Sequence, residues 1–459
     1  MSLQNNAFFT KLGGLRSSFI YISTALGAVL FALLANDRLA FGQQLVVVET
    51  KLPVSESPTF PELVSPVPEE QLTLAALEQM AISSNPSLAR ASSMVGAARG
   101  KWIQVGQYPN PTIGYEGQQL GSGGRAEQQG LLFSQEIVHG DKLRLNRVIA
   151  DREMNRTQQE MAAQRQRVLT DVRIAYYQAL LAQRQIDLTS ILVRVSTEGS
   201  EVVKALLGAK EASRADVLLA ELEVENAKIL AQNARNRHAS AWQTLTAVVA
   251  NPKLPPLPLA GDAFVEPRDI SYQDVLARLQ TSSPEMAVAV AEIDRARATL
   301  ARACAEPIPN VTVQGLVNVI DNGIGGRPDG GISVSLPIPL FNRNQGAILQ
   351  ARHEIAAAER ALQQLELDLQ NRLAPTFERF ANARNQFERY QTTILPAAKE
   401  SLDLTRKMYE AGETNYVGLL VAQRTYFQTN LNFLEATQLL RLSETEIEGF
   451  LLSNSLQMR

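Results

Sequence analysis

Few residues in this sequence are suited to catalysis or metal binding. The 459 residues include one cysteine, Cys304, and three histidines: His139, His238 and His353. The histidines are widely spaced, and none stands beside a cysteine or carboxylate in a ligand-type pattern. Because a metal site needs several converging ligands, we predict no metal site and no cofactor. A single cysteine cannot form a disulfide within one chain, so Cys304 is interpreted as a small helix residue.

Two glycine-rich stretches, residues 121–125 and 323–331, are the next candidates. Neither contains the Lys-Ser/Thr pair of a phosphate-binding loop, so both are predicted to be hairpin loops. No Ser-His-Asp triad or paired-carboxylate arrangement stands out, and we predict that the protein is not an enzyme. With 44 basic and 47 acidic residues, the charge is nearly balanced, and nothing favours a nucleic-acid partner.

The remaining candidates lie at two predicted turns. They are Arg214, Asp216, Tyr409, Gly412, Glu413 and Thr414. One interpretation is that these residues belong to solvated helix ends. The sharper hypothesis is that ion pairs between the two turns hold neighbouring helix ends together. The first such pair to test joins Asp216 to a basic residue near Thr414. Because exposed ion pairs are individually weak, several residues would have to act together.

The elements that position the second turn are a short strand and two long helices. Apolar residues alternate from Ile332 to Leu340, which is the period of a strand. Residues 347–373 are then rich in the best helix formers. A coiled-coil seam is predicted from four apolar residues at steps of seven: Leu373, Phe380, Phe387 and Ile394. After Gly412 the chain returns through a second long helix, residues 417–452.

The same plan occurs twice, with an offset near two hundred residues. Matching segments are Ser83–Ala89 with Ser282–Val288, 108–111 with 308–311, 133–137 with 334–338, and 214–221 with 416–423. A repeat of this length indicates two copies of one large unit. The predicted organisation is a first repeat 72–250 (hairpin 112–138, helical hairpin 141–249), a Pro-rich linker 251–270, a second repeat 271–453 (hairpin 310–340, helical hairpin 342–452) and a tail 454–459.

The N-terminus is predicted to be an export signal, residues 1–42. Lys11 and Arg16 precede the apolar run 19–34, and small residues suggest cleavage after Gly42. A retained membrane helix is the alternative, although the run is barely long enough to span. Residues 43–71 are rich in proline and are predicted to be extended. No other segment has the length of a membrane helix, so strands would have to carry the protein into a membrane.

The predicted lengths restrict the architecture. A helix of about 67 residues would span about 100 Å, which no ordinary globular domain contains. Each repeat supplies one hairpin, and strands of nine or ten residues suit a tilted crossing of the hydrocarbon layer. Four strands cannot close a barrel, because an open edge cannot lie in lipid and small barrels begin at about eight strands. We therefore predict an internally duplicated α+β membrane protein whose chains share one barrel.

Together these features resemble the TolC-like outer-membrane efflux duct family, and the heavy-metal efflux branch most. The resemblance covers residues 72–452, and its strongest parts are SLPIPLFNRNQG (335–346) and MYEAGETNYVGLLVAQ (408–423). It implies a homotrimer in outer-membrane lipid, with a twelve-stranded barrel and a periplasmic coiled-coil tunnel. It also implies a passive conduit that serves a periplasmic adaptor and an inner-membrane pump of the RND type or another kind, and metal ions as cargo.

The resemblance assigns roles to two groups of residues. The six turn residues named above would form the periplasmic tip, where the adaptor docks and the tunnel is gated. The barrel-to-tunnel junction would comprise Pro337, Pro339 and Asn342, with the prolines ending the sheet. Gly418 and Val421 stand where relatives often have carboxylates that narrow the tunnel, so no acidic ring is predicted there.

A second departure from the family pattern is Lys210, which replaces the usual glycine of the first tip.

Two other functions remain open. One is the duct of a type I protein secretion system, which uses the same fold. The other is a periplasmic structural coiled-coil protein, although paired hairpins at corresponding places in the two repeats disfavour it.

Overall fold

A computed structural model describes residues 71–118, 128–321 and 328–457, all of which belong to one unit, Pro68–Arg459. The predicted signal peptide (1–42) lies outside the described residues, as do the Pro-rich segment up to residue 70, the loop 121–125, residues 323–327 of the second loop and the last two residues of the tail. None of the helices in the described part of the chain has the length and apolarity that a membrane span requires.

The first repeat contains two short helices, one hairpin and one pair of long helices. Its elements are β1 Leu72–Thr73, α1 Leu74–Ser84, α2 Pro86–Gln104, β2 Thr112–Gln118, β3 Gln128–Ile137, α3 Lys142–Gly208 and α4 Arg214–Val248. The 67 residues of α3 correspond to about 100 Å of helix. Asn85 separates α1 from α2, and its Oδ1 accepts from Ser87 N at 2.9 Å, which caps α2 ahead of Pro86.

The second repeat follows the same order. Its elements are α5 Tyr272–Ser282, α6 Pro284–Ala305, β5 Val311–Asp321, β6 Asp329–Ser335, α7 Gln345–Arg389, α8 Leu395–Glu410 and α9 Tyr416–Glu448, after a short strand β4 Leu259–Ala260 in the linker. A Ser-Pro pair at Ser283 divides α5 from α6, as Asn85 and Pro86 divide α1 from α2. The linker strand β4 pairs in parallel with β1 and so connects to the start of the first repeat.

Two predictions about these elements were wrong in detail. The last strand ends at Ser335 rather than Leu340, because Pro337 and Pro339 have no N–H to donate to a ladder. The long helix after it is also interrupted, by a π-helical turn at Tyr390–Ile394. Pro396 follows this turn and has no backbone N–H to donate to a carbonyl of the preceding turn. The helix there makes the wider i→i+5 hydrogen bonds of a π-helix.

The core lies around α3, which packs against α1, α2, α4, α6 and α9. One apolar cluster joins α1, α3 and α4 through residues such as Leu77, Val172 and Leu245. A second cluster joins α5, α7 and α9. Its α7 members are Leu373, Phe380 and Phe387, all fully buried as the heptad predicted. Ile394, the fourth residue of the predicted seam, is 40% exposed, because the π-turn rotates the helix there and takes this residue off the seam.

Candidate functional site

The four long strands form one antiparallel sheet in the order β2-β3-β5-β6. Side chains directly opposite one another in paired strands share a face of the sheet. One face carries two apolar rows, which contain Ile113, Phe133 and Ile332, and Tyr115, Leu131 and Val317. These side chains are strongly exposed, with Ile332 at 84% and Ile113 at 76%. An apolar face that no described part of its own chain covers is suited to an apolar environment.

The opposite face is mostly polar. Its rows contain Thr112, Ser134, Gln314 and Ser333, then Glu116, Asn318 and Asp329, and then Glu136, Thr312 and Ser335. One row departs from this pattern, because Leu132 and Leu316 are paired there between two glycines. Along β5, Asn318 is 7% exposed whereas its apolar neighbour Val317 is 57% exposed. One face of the sheet is therefore mostly apolar and exposed, and the other is mostly polar, which is the alternation expected of membrane strands.

The junction between sheet and long helix is the segment 336–344, which contains the predicted Pro337, Pro339 and Asn342. Asn342 Oδ1 accepts from Asn344 N at 3.0 Å, and Asn344 itself has a left-handed backbone (φ 59°) immediately before α7. The Asn344 Nδ2 donates to the Ala303 carbonyl of α6 at 2.8 Å. Asparagine tolerates this conformation and anchors the turn, so the chain enters α7 at a fixed angle.

The corresponding junction of the first repeat depends on Asn310, which the sequence reasoning did not single out. Its Oδ1 accepts from Lys142 Nζ at 3.1 Å and from His139 N at 3.3 Å, and its Nδ2 donates to Glu136 at 2.6 Å. The Lys142 side chain is only 6% exposed, with Glu306 at 3.9 Å. The repeated Pro-Asn pair at 109–110 and 309–310 was the available signal for this position.

The candidate metal and thiol residues lie apart. The His238 ring stacks near Trp242, and burial lowers the pKa of His238. His353 and Cys304 are exposed, and His139 lies at the first junction. Among residues 71–118, 128–321 and 328–457, no group of three or more histidine, cysteine or acidic side chains is placed to hold a metal ion.

The first tip is the turn between α3 and α4. Lys210 has φ 64° where α3 ends, and Glu211 N donates to Leu206 O at 2.8 Å, which is the closure of a Schellman motif. Ser213 and Asp216 then form a capping box at the start of α4: Asp216 N donates to Ser213 Oγ, and Asp216 Oδ2 accepts from Ser213 N at 2.9 Å and from its hydroxyl at 2.7 Å. These hydrogen bonds from Ser213 hold the pKa of Asp216 below its ordinary value.

The second tip, between α8 and α9, is built in the same way. Gly412 has φ 74°, Glu413 N donates to Met408 O at 2.8 Å, and Asn415 Oδ1 caps α9 by accepting from Gly418 N at 3.0 Å. Gly418 corresponds to Asp216 of the first tip. A Cβ at Gly418 would lie 2.7 Å from Thr414 Oγ1, so the turn leaves no room for a side chain there without rearrangement.

Tyr416 connects the two tips within one chain. Its ring packs against the cluster of Val203, Val217 and Ala220 on α3 and α4, and it meets the Tyr409 ring edge-on at 6.3 Å between centroids. Burial raises the pKa of Tyr409, and the nearby charge of Asp216 adds to this. Of the predicted turn residues, the structure therefore places Asp216 of the first turn near Tyr409 of the second.

The cross-tip ion pair hypothesised for Asp216 stays a prediction for an assembled protein. Within one chain, no ion pair among the described residues includes Asp216 or Arg214, and the Asp216 carboxylate is held by Ser213.

An ion pair does join the two repeats, about two helical turns from the tips. Arg424 on α9 donates both Nε, at 2.8 Å, and a terminal nitrogen to Glu223 Oε2 on α4. The Glu223 side chain is 11% exposed and that of Arg424 is 51% exposed. The hydrogen bond to Glu223 raises the pKa of Arg424. The sequence reasoning missed this pair, although the two residues lie 201 positions apart, close to the repeat offset.

The sequence profile of the outer membrane efflux protein family matches residues 77–251 and 275–451, which is most of the chain and both repeats. The chain belongs to the outer membrane efflux protein family. This family consists of channels rather than enzymes. The match confirms three predictions for this chain: the internal duplication, the export function and the outer-membrane location.

Individual relatives agree with this assignment. The cobalt-zinc-cadmium resistance protein CzcC of Cupriavidus metallidurans is 25% identical over 399 residues, which cover 86% of this chain and 94% of CzcC. Among solved structures, a membrane protein from Pseudomonas aeruginosa has 20% identity and a TM-score of 0.67, and covers 86% of this chain and 99% of its own. CusC has 17% identity, a TM-score of 0.66 and the same coverage.

The open state of the MtrE outer membrane channel of Neisseria gonorrhoeae is also similar. It has 21% identity and a TM-score of 0.66, and the match covers 83% of this chain and 89% of MtrE. At these identities the solved structures establish the fold of the chain. They confirm the predicted fold, in which long helices are combined with a small sheet.

Proposed function

We propose that this outer membrane efflux protein is a homotrimeric exit duct, a passive conduit that takes cargo from a periplasmic adaptor and an inner-membrane pump to the exterior. The observation that carries the proposal is the sheet with an exposed apolar face and a polar opposite face. Its outer strands β2 and β6 are each paired on one side only among the described strands. Their free N–H and C=O groups need partners in lipid, and a neighbouring chain can supply them. Three chains would contribute twelve strands to one closed sheet.

Metal cations are the proposed cargo. The support is the relative CzcC, a cobalt-zinc-cadmium resistance protein that aligns with 86% of this chain. A passive duct needs no metal site of its own, because a pump of the RND type or another kind can select the cargo. Under this proposal the six tip residues meet the adaptor and take part in gating, and the junction of Pro337, Pro339 and Asn342 is the place where sheet becomes tunnel.

A matched pair of arginine substitutions tests the position of the sheet in the membrane. Ile332→Arg places a charge on the apolar face, where lipid would meet it, at a cost of about 2–4 kcal/mol near the membrane midplane. Ser333→Arg places the same charge one residue later, on the polar face. We expect the first variant to lose most of the heat-modifiable trimer from the outer-membrane fraction, and the second to retain it.

Equal behaviour of the two variants, or a wild-type protein recovered as a soluble monomer, would contradict the proposal.

The cargo is tested in a deletion strain. Loss of tolerance to cobalt, zinc or cadmium, restored by the wild-type gene, is expected. Unchanged metal tolerance with loss of a secreted protein would instead identify a secretion duct.

A further inference from the structure

We infer that Glu116 and Asp329 make this duct prefer cations, and that they are residues that determine its ionic specificity. The inference rests on the proposed trimeric duct and adds the residues that would set its preference among ions. Both residues lie on the polar face, in the row that runs Glu116, Gly130, Asn318, Asp329 across all four strands. This row is at the end of the sheet away from the long helices.

The two carboxylates are held by neutral donors. Gln118 Nε2 donates to Glu116 Oε1 at 2.7 Å, and Asn318 Nδ2 donates to Asp329 Oδ1 at 2.7 Å. Between them, Gly130 has no space for a side chain, since a Cβ there would lie 2.5 Å from the Val317 carbonyl. The side chains of this row are thus held by hydrogen bonds and by the close approach at Gly130. An amide donor carries no charge, so these hydrogen bonds do not neutralise the two carboxylates.

Among the residues that the structure describes, no positive charge neutralises these carboxylates. None of the ion pairs in the described part of the chain includes Glu116 or Asp329, and the described strand residues contain no lysine, arginine or histidine. The third carboxylate of this face, Glu136, differs, because Asn310 connects it to the buried Lys142. On the helices the more buried carboxylates are paired, as Glu285 is with two arginines. On the polar face of the described sheet, the row of Glu116 and Asp329 is the one whose carboxylates have no link to a positive charge.

Three chains would place six such carboxylates around the outer part of the duct. The Debye length is about 8–10 Å at 0.1–0.15 M salt, so the field of a wall carboxylate extends about that far into the duct. Carboxylates lining a cleft with low-dielectric walls raise the local concentration of cations and lower that of anions. The tip lacks carboxylates at Gly418 and Val421. We therefore expect the carboxylates of the sheet to contribute to the selectivity, and this contribution to fall as salt concentration rises.

The test is ion selectivity of the full-length purified protein in planar lipid bilayers, with a KCl gradient across the membrane. The wild-type reversal potential should show preference for K⁺ over Cl⁻, greatest at low salt. The double variant Glu116→Gln/Asp329→Asn should lower the permeability ratio several-fold. The conservative double variant Glu116→Asp/Asp329→Glu should preserve it, which separates charge from packing.

A matched control, Gln314→Asn/Ser333→Thr, alters the same face without changing charge and should leave the ratio unchanged. Wild-type channels without preference for K⁺, or an unchanged ratio in the Gln/Asn double variant, would overturn the inference while leaving the duct intact. A wild-type protein that forms no channels at all would instead refute the proposed function, and the inference with it.

Discussion

The ion pair between Glu223 and Arg424 offers the sharpest test of how the tips are held together. It connects α4 of the first repeat with α9 of the second, near a small core of Leu192, Ala227 and Phe427. We expect Glu223→Gln, which keeps the shape but removes the charge, to loosen the tips and to raise the open fraction of channels in planar bilayers.

The magnitude follows from the exposure of the two partners. Exposed pairs contribute about 0.2–1 kcal/mol, and hydrogen bonds to charged groups contribute about 1.5–3 kcal/mol. Glu223 is nearly buried, but Arg424 is half-exposed and water screens it, so we place the pair at about 1–2 kcal/mol. If the pair breaks on opening, the open-to-closed ratio of each chain should rise about 5- to 30-fold.

The control is Glu225→Gln on the same helix. Glu225 pairs with Lys228 one turn away, and both side chains are more than half exposed, so its loss should change little. The double variant Glu223→Gln/Arg424→Gln completes a cycle, and the second change should add less than it does alone. Strict additivity of the two changes, or an open fraction equal to that of the Glu225 control, would show that this pair does not hold the tips.

Two further predictions concern stability, measured by thermal unfolding of the purified protein. Phe380→Ala removes a fully buried ring on α7 and should lower the free energy of unfolding by about 3–5 kcal/mol. Ile394→Ala, at the half-exposed fourth position of the predicted seam, should cost well under half of that. Similar losses in the two variants would contradict the effect assigned to the π-turn. Asn310→Ala leaves the buried Lys142 without its nearest partner and should cost about 2–3 kcal/mol. The matching Asn110→Ala, at an exposed position, should be nearly neutral, and equal effects would refute the role assigned to Asn310.

Much of the fold could be predicted from local patterns. Alternation of period two located β5 and β6, and the sequence-level repeat located their counterparts β2 and β3. The buried heptad residues Leu373, Phe380 and Phe387 followed from spacing alone. These features repeat over many residues, so a single misleading position does not hide them.

The candidate site was harder to predict because its contacts join residues far apart in the chain. For Asp216 we predicted a basic partner across the tips. Within one chain its carboxylate is held by Ser213, three residues away, in a capping box, and the cross-tip pair stays a prediction for the assembled protein. The ion pair that connects the repeats near the tips, Glu223 with Arg424, carries no motif. Its existence depends on which faces of α4 and α9 meet, and only packing decides that.

The sequence by itself determined that this protein is duplicated, that each half has a hairpin and a pair of long helices, and that its sheet suits a membrane. Hydrophobic period, helix propensity and proline positions are local properties and can be read one segment at a time. The tertiary structure alone decided where β6 stops, how Asn310 fixes the first junction, and which charges lack partners. Glu116 and Asp329 lie in different repeats, and only the register of four strands places them in one row.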